Sequence, residues 1–211
     1  MSGIHGYWLF LFAGVLLNLA PGQDTMLIIG RSLTGGLRSG VAAAFGISVG
    51  TICHTLAAAL GLSMILATSA LAFTIVKLLG AVYLIYLGVK LLLARAAQNT
   101  AASSHGPASA GARAAFFQGI LTNLLNPKVA LFFLAFLPQF IDPNSRVRTV
   151  AFLALGATFI TTGLIWSLVL ATGAARLQAF FLRNPNARTL IDRTVGGLFL
   201  VLGARLAWSR Q

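Results

Sequence analysis

Residues 7–29 read YWLFLFAGVLLNLAPGQDTMLII, an apolar run opened by Pro21-Gly22-Gln23 and followed at once by Asp24. Proline lacks the helical N–H and clashes with the preceding turn, so a helix through this stretch is interrupted at Pro21. Crossing a hydrocarbon core of about 30 Å takes about 20 helical residues. The part before Pro21 is too short for that, whereas both parts together suffice. The stretch therefore reads as one membrane span broken in its interior. No basic region precedes it and no small-x-small site follows it, so it reads as a span and not as a removable signal.

The rest of the composition agrees. Of 211 residues, 58% are hydrophobic and 9% charged, with a mean hydropathy of +0.89. A soluble domain carries about 25% charged residues, and so few ionisable side chains cannot coat a soluble globule of this size. These values exclude a large extramembrane domain, a disulfide-built secreted scaffold and a disordered chain. Further spans are expected at 39–66, 71–94, 115–141 (interrupted at Asn126-Pro127-Lys128), 150–175 and 194–208. The last is short, so either its helix begins before Asp192 or flanking arginines snorkel. A polar, small-residue linker occupies 98–114. The expected fold class is all-α, a polytopic membrane protein with about six transmembrane helices in a single domain.

Fifteen Lys and Arg stand against three acids, Asp24, Asp142 and Asp192, giving a net charge of +12. Because the basic residues lie between apolar runs, they orient the chain in the membrane and meet anionic lipid headgroups; no nucleic-acid partner is expected. The positive-inside count places the linker in the cytoplasm and both termini outside. The single cysteine, Cys53, lies in an apolar stretch and reads as packing. With so few His, Cys and acidic residues, no metal site or other cofactor is expected.

The chain also repeats itself weakly. Asn18-Leu19-Ala20-Pro21-Gly22 resembles Asn123-Leu124-Leu125-Asn126-Pro127-Lys128. The Gly46, Gly50 and Gly61 series is echoed by Gly156, Gly163 and Gly173, and Leu87-Gly88-Val89-Lys90-Leu91 by Leu202-Gly203-Ala204-Arg205-Leu206. This divides the chain into repeats at 1–97 and 115–211. Three spans per repeat is an odd number, so the second copy is inverted relative to the first. Inverted repeats with helices broken at corresponding positions point to a secondary transporter's binding site. Lipid cannot satisfy the backbone groups a break frees, so breaks belong against protein or a water-filled cavity.

The candidate substrate- or ion-binding residues cluster at these breaks. Asp24 is the acidic residue within a predicted span; at membrane depth it would bind a proton or a substrate ammonium, and the plain alternative is a helix cap. Lys128 would neutralise Asp24, hold a substrate carboxylate or snorkel. Asn18, Asn123, Asn126 and Gln23 either satisfy freed backbone groups or bind substrate around Pro21, Gly22 and Pro127. His54 would relay protons or bond between helices. Lys77 snorkels on this reading, and Trp8, Trp166 and Trp208 are interface anchors or packing ahead of ligand contacts. The G-x-S-x-G pattern at 46–50 is that of a hydrolase elbow, but it falls inside an apolar helical run where Ser48 is neither exposed nor activated; no enzyme is expected.

These residues together resemble the lysine-exporter (LysE/RhtB) family of bacterial amino-acid efflux proteins. The resemblance rests on 21–25 (PGQDT), Gly36-x-x-x-Gly40, 46–50 with His54, 80–88 (GAVYLIYLG), Asn126-Pro127-Lys128 and 137–140 (LPQF). Gln23 departs from the family's usual second proline, which would soften the first break. The resemblance implies a multi-pass inner-membrane exporter of amino acids, driven by the proton gradient and often homo-oligomeric. It implies neutral substrates such as homoserine, threonine or leucine, or else lysine and arginine. With Asp24 alone at membrane depth, the neutral class is expected, moved by proton antiport and alternating access. Another small solute, or a non-transporting membrane assembly role, is the rival reading.

Overall fold

The computed structural model describes residues 3–62, 111–143 and 145–183, together with single helical positions within 75–89 and 190–204. Most of span three, the linker and most of span six lie outside the described residues. So do Lys77, Trp208, Asp192 and, apart from Val89 and Ala204, the matched stretches 87–91 and 202–206.

All elements described are helical, apart from one isolated antiparallel bridge between Ile4 and Ile141. Helix α1 spans Tyr7–Leu19 and ends at Ala20, whose backbone is extended. Its 13 residues reach about 20 Å, less than the hydrocarbon core. After Pro21 and the extended Gly22, α2 runs over Gln23–Ala57 and turns once at Gly36, with φ 72° and ψ 178°. That left-handed φ suits glycine. Its place puts 23–35 with α1 as the two pieces of span one, and starts span two just beyond Gly36. A π-helical turn at Ala58–Leu62 continues α2.

Helix α3, Ala112–Leu124, is followed by α4, Pro127–Leu131, then by a π turn, Phe132–Phe136, and a 3-10 turn, Leu137–Phe140. The two parts bend by 47° at the break. Asn126 caps α4 through its side-chain oxygen, which accepts from the Lys128 N–H at 3.0 Å, with Pro127 at the first helical position. This is the position where proline's missing donor is harmless. Helix α5, Arg148–Arg183, is long enough to pass beyond both faces of a hydrocarbon core.

By length and composition, Gln23–Gly61 and Arg148–Ala174 can cross a membrane, and the bent pair Ala112–Leu124 with Pro127–Phe140 adds a third if it is one broken span and not a re-entrant loop. Near the C-terminus, Leu190, Arg193 and Thr194 are helical and the Thr194 hydroxyl donates to the Leu190 carbonyl at 2.8 Å. Helical geometry therefore precedes Thr194, which favours the longer version of span six.

The N-terminal segment ties spans one and four together head to tail. His5 N–H donates to Phe140 O at 3.0 Å and Asp142 N–H to Gly3 O at 2.8 Å, so span one starts where span four ends. The core has two apolar clusters. Phe10, Phe132, Phe136, Phe152 and Phe159 dominate one, and Ile28, Ala43, Ile47, Ala115 and Leu170 the other. Small residues let α2 and α3 approach closely: Gly46 and Gly119 face each other, with a side-chain carbon on either 3.1 Å from the other's Cα. In lipid, where apolar burial drives little association, such close packing holds helices together.

Candidate functional site

The two breaks meet. Asn123, buried at the end of α3, donates through Nδ2 to Asp24 Oδ2 at 2.8 Å. Its own Oδ1 accepts from the Thr51 hydroxyl at 3.3 Å. Across the breaks, the Lys128 ammonium donates to the carbonyls of Leu17 at 3.1 Å and Ala20 at 3.0 Å. These are carbonyls freed where α1 stops, and a cation at a helix C-terminus is favoured by the dipole as well. Conversely, Asp24 lies in the first turn of α2, the end that favours a carboxylate. Each charge is thus placed by the break of a helix.

His54 Nε2 lies 3.2 Å from Asn123 O. A carbonyl only accepts, so this nitrogen carries the proton, and His54 serves the end of α3 as Lys128 serves the end of α1. Asn18 Nδ2 donates to the Thr162 hydroxyl at 3.2 Å. The arrangement is reciprocal. An asparagine ending the first half of span one bonds a threonine of span five, and its counterpart in span four bonds a threonine of span two. Each asparagine also packs on a glycine, Asn18 on Gly163 and Asn123 on Gly50.

Asn18, Asp24, Asn123 and Lys128 line one cavity with Thr25, Ser48, Thr51, Trp166, Ser167 and apolar side chains such as Ile28 and Phe159. At about 40 Å³ it has room for roughly three waters. The other candidates stand beside it. Pro21 and Gly22 shape the first break, Gly22 lying close to the Lys128 side chain, while Asn126 is a buried cap. Gln23 and Pro127 are exposed. Asp24 makes its described hydrogen bond across to α3, and its second oxygen is buried without a partner, so the carboxylate does more than cap its own helix. The hydrolase constellation is not assembled: the Ser48 hydroxyl donates to Ala44 O within its helix at 3.1 Å, and His54 is engaged by Asn123.

Thr51 and Thr162 escaped the sequence reading, which took Trp166 for an anchor or packing ahead of a ligand contact. The threonines had a signal, each lying next to a glycine, Gly50 or Gly163, of the matched series. So had the Gly14-x-x-x-Asn18 and Gly119-x-x-x-Asn123 pair, in which both glycines admit a neighbouring helix one turn before the break. Trp166 carried no such mark, because a tryptophan in a span reads as packing.

The family described as LysE type translocator matches residues 15–210. This chain is a member of the LysE-type translocator family. It is 35% identical to an uncharacterised membrane protein of Vibrio cholerae serotype O1 over 98% of each chain. It is 33% identical to the homoserine/homoserine lactone efflux protein of Salmonella typhimurium over 97% of each. An uncharacterised membrane protein of Pseudomonas aeruginosa is 32% identical, over 97% of this chain and 96% of that one. No solved structure matches. The LysE-type chain is a membrane protein of a transport family, which agrees with its apolar helices.

The placement of Lys128 makes a prediction within this family fold. Lys128→Met leaves the Leu17 and Ala20 carbonyls without their ammonium, and an unpaired buried acceptor costs about 1–3 kcal/mol. The unfolding midpoint of purified protein in detergent is expected to fall, and Lys128→Arg to recover part of the loss. An unchanged midpoint in Lys128→Met would show that the bonds to α1 contribute nothing to stability.

Proposed function

We propose that this protein exports a small neutral amino acid, of the homoserine, threonine or leucine type, across the bacterial inner membrane by proton antiport and alternating access. The observation that carries the reading is Asp24. It is a carboxylate on the wall of a cavity where two broken spans meet, with Oδ2 held by Asn123 and Oδ1 buried without a hydrogen-bond partner. A substrate ammonium and a proton compete for that oxygen, which couples outward movement of one to inward movement of the other. The kinship with a homoserine/homoserine lactone efflux protein supports the substrate class.

Two inverted repeats, 1–97 and 115–211, supply the mechanics. The reciprocal Asn18–Thr162 and Asn123–Thr51 bonds and the antiparallel course of spans one and four support this. Alternating access is then a rocking of one repeat against the other about the breaks. A cavity for roughly three waters belongs to a closed stage of that cycle, so the helix pieces must part before an amino acid fits.

Uptake of a labelled amino-acid panel into inverted vesicles, with and without a pH gradient, tests the proposal. Gradient-stimulated uptake of a neutral amino acid is expected, with lysine and arginine taken up weakly. Preference for the cationic pair would overturn the substrate class, and uptake indifferent to the gradient would overturn antiport.

A further inference from the structure

The cavity wall carries two buried polar atoms of opposite kind without a hydrogen-bond partner. One is the acceptor Asp24 Oδ1 and the other the donor Trp166 Nε1. Leaving such groups unpaired is costly, and the rare cases call for a reason. Indole nitrogen donates and cannot accept, so what satisfies Trp166 is an oxygen. What satisfies Asp24 Oδ1 is a donor. The two residues come from different helices, α2 and α5, and Ile28, Leu164 and Leu170 supply apolar wall. The described bonds of the Lys128 ammonium run to the end of α1; on the α5 side, where Ser167 also lines the cavity, the buried donor without a partner is the indole.

We infer that Trp166 is a substrate-binding, specificity-determining residue: its indole N–H donates to a carboxylate oxygen of the substrate whose ammonium rests on Asp24 Oδ1. This rests on the transport reading above and sharpens it to α-amino acids as opposed to amines at large. A neutral donor suits a zwitterion here. The carboxylate is oriented by one dipole, and a zwitterion leaves the net charge of the site unchanged. In the closed conformation both atoms are sealed from solvent. Seating a substrate between them satisfies a donor and an acceptor at once, so the widened cavity is stabilised by the ligand that needs it. A substrate lacking either end leaves one atom unpaired, and that is the source of discrimination.

The test is competition against uptake of labelled L-homoserine into inverted vesicles. The competitors are unlabelled L-homoserine and 3-aminopropan-1-ol, which keeps the ammonium and hydroxyl but has no carboxylate. The wild-type protein is expected to favour L-homoserine strongly. Trp166→Phe keeps a ring and removes the N–H, so it should lower the affinity for L-homoserine roughly tenfold. Its affinity for 3-aminopropan-1-ol should be little changed, so the two competitors converge. An unchanged ratio in Trp166→Phe overturns the inference while leaving the transport reading standing. Failure of the wild-type protein to take up any amino acid overturns the transport reading and this inference with it. Should Trp166→Phe not fold, the wild-type protein decides through the ¹⁵N–¹H signal of the Trp166 indole. L-homoserine is expected to shift it and 3-aminopropan-1-ol to leave it in place; the same response to both overturns the inference.

Discussion

Asp24→Asn is expected to abolish gradient-driven efflux while the protein still folds and inserts. Asparagine has the shape of aspartate, and its side-chain oxygen can still accept from Asn123 Nδ2, so the bond between the two breaks survives. What disappears is the negative charge, and with it both the proton site and the partner of a substrate ammonium. Breaking a buried ion pair by removing one member costs about 3–5 kcal/mol, which corresponds to roughly a 150- to 4,000-fold loss. The measurement is the initial rate of labelled L-homoserine uptake into inverted vesicles under an imposed pH gradient, normalised to protein detected in the membrane. Comparable rates in Asp24→Asn and wild type would remove Asp24 from the transport cycle and leave it a structural residue of the break.

Both breaks were legible in the sequence for a single physical reason. Pro-Gly and Asn-Pro cannot be carried through a helix, and in a membrane an unfinished helix must meet other protein. The sequence therefore puts Asn18, Asp24, Asn123 and Lys128 at the two breaks, and the cavity gathers these four. It did not say which charge meets which group. Direct neutralisation of Asp24 by Lys128 was one expectation, but the described geometry gives Asp24 to Asn123 and turns Lys128 toward Leu17 and Ala20. Such pairing depends on which helix end each side chain reaches, and reach is set by the tilt and rotation of the pieces. The Gly36 bend was hidden for a related reason, since a glycine that permits close approach and one that turns the chain look alike in one dimension. Trp166 was hidden by its bulk. Its ring belongs to the packing beside Leu170 and Ala171, and only the unpaired N–H sets it apart.

Gly46→Val is expected to prevent assembly of the helical core, whereas the same substitution at Gly61 is expected to be mild. A side-chain carbon on Gly46 would overlap the carbonyl oxygen of Phe116 and lie 3.1 Å from the Gly119 Cα. Both obstacles are backbone, so no rotamer change relieves them and α3 itself would have to move away from α2. Overpacking of a well-packed site typically costs about 1–3 kcal/mol, and a backbone clash with no escape falls at or above the upper end. The consequence reaches the site, because Asn123 sits one turn further along α3 and touches Gly50 one turn further along α2. Separating the helices at Gly46 therefore loosens the Thr51–Asn123–Asp24 chain as well. At Gly61 an added carbon meets nothing within 4 Å among the described residues, and valine is a better helix former than glycine. Size-exclusion profiles and thermal unfolding in detergent, compared for the two variants, check this. A Gly46→Val protein that is monodisperse and unfolds at the wild-type temperature would mean that the close contact of α2 with α3 is not what holds the two broken spans together.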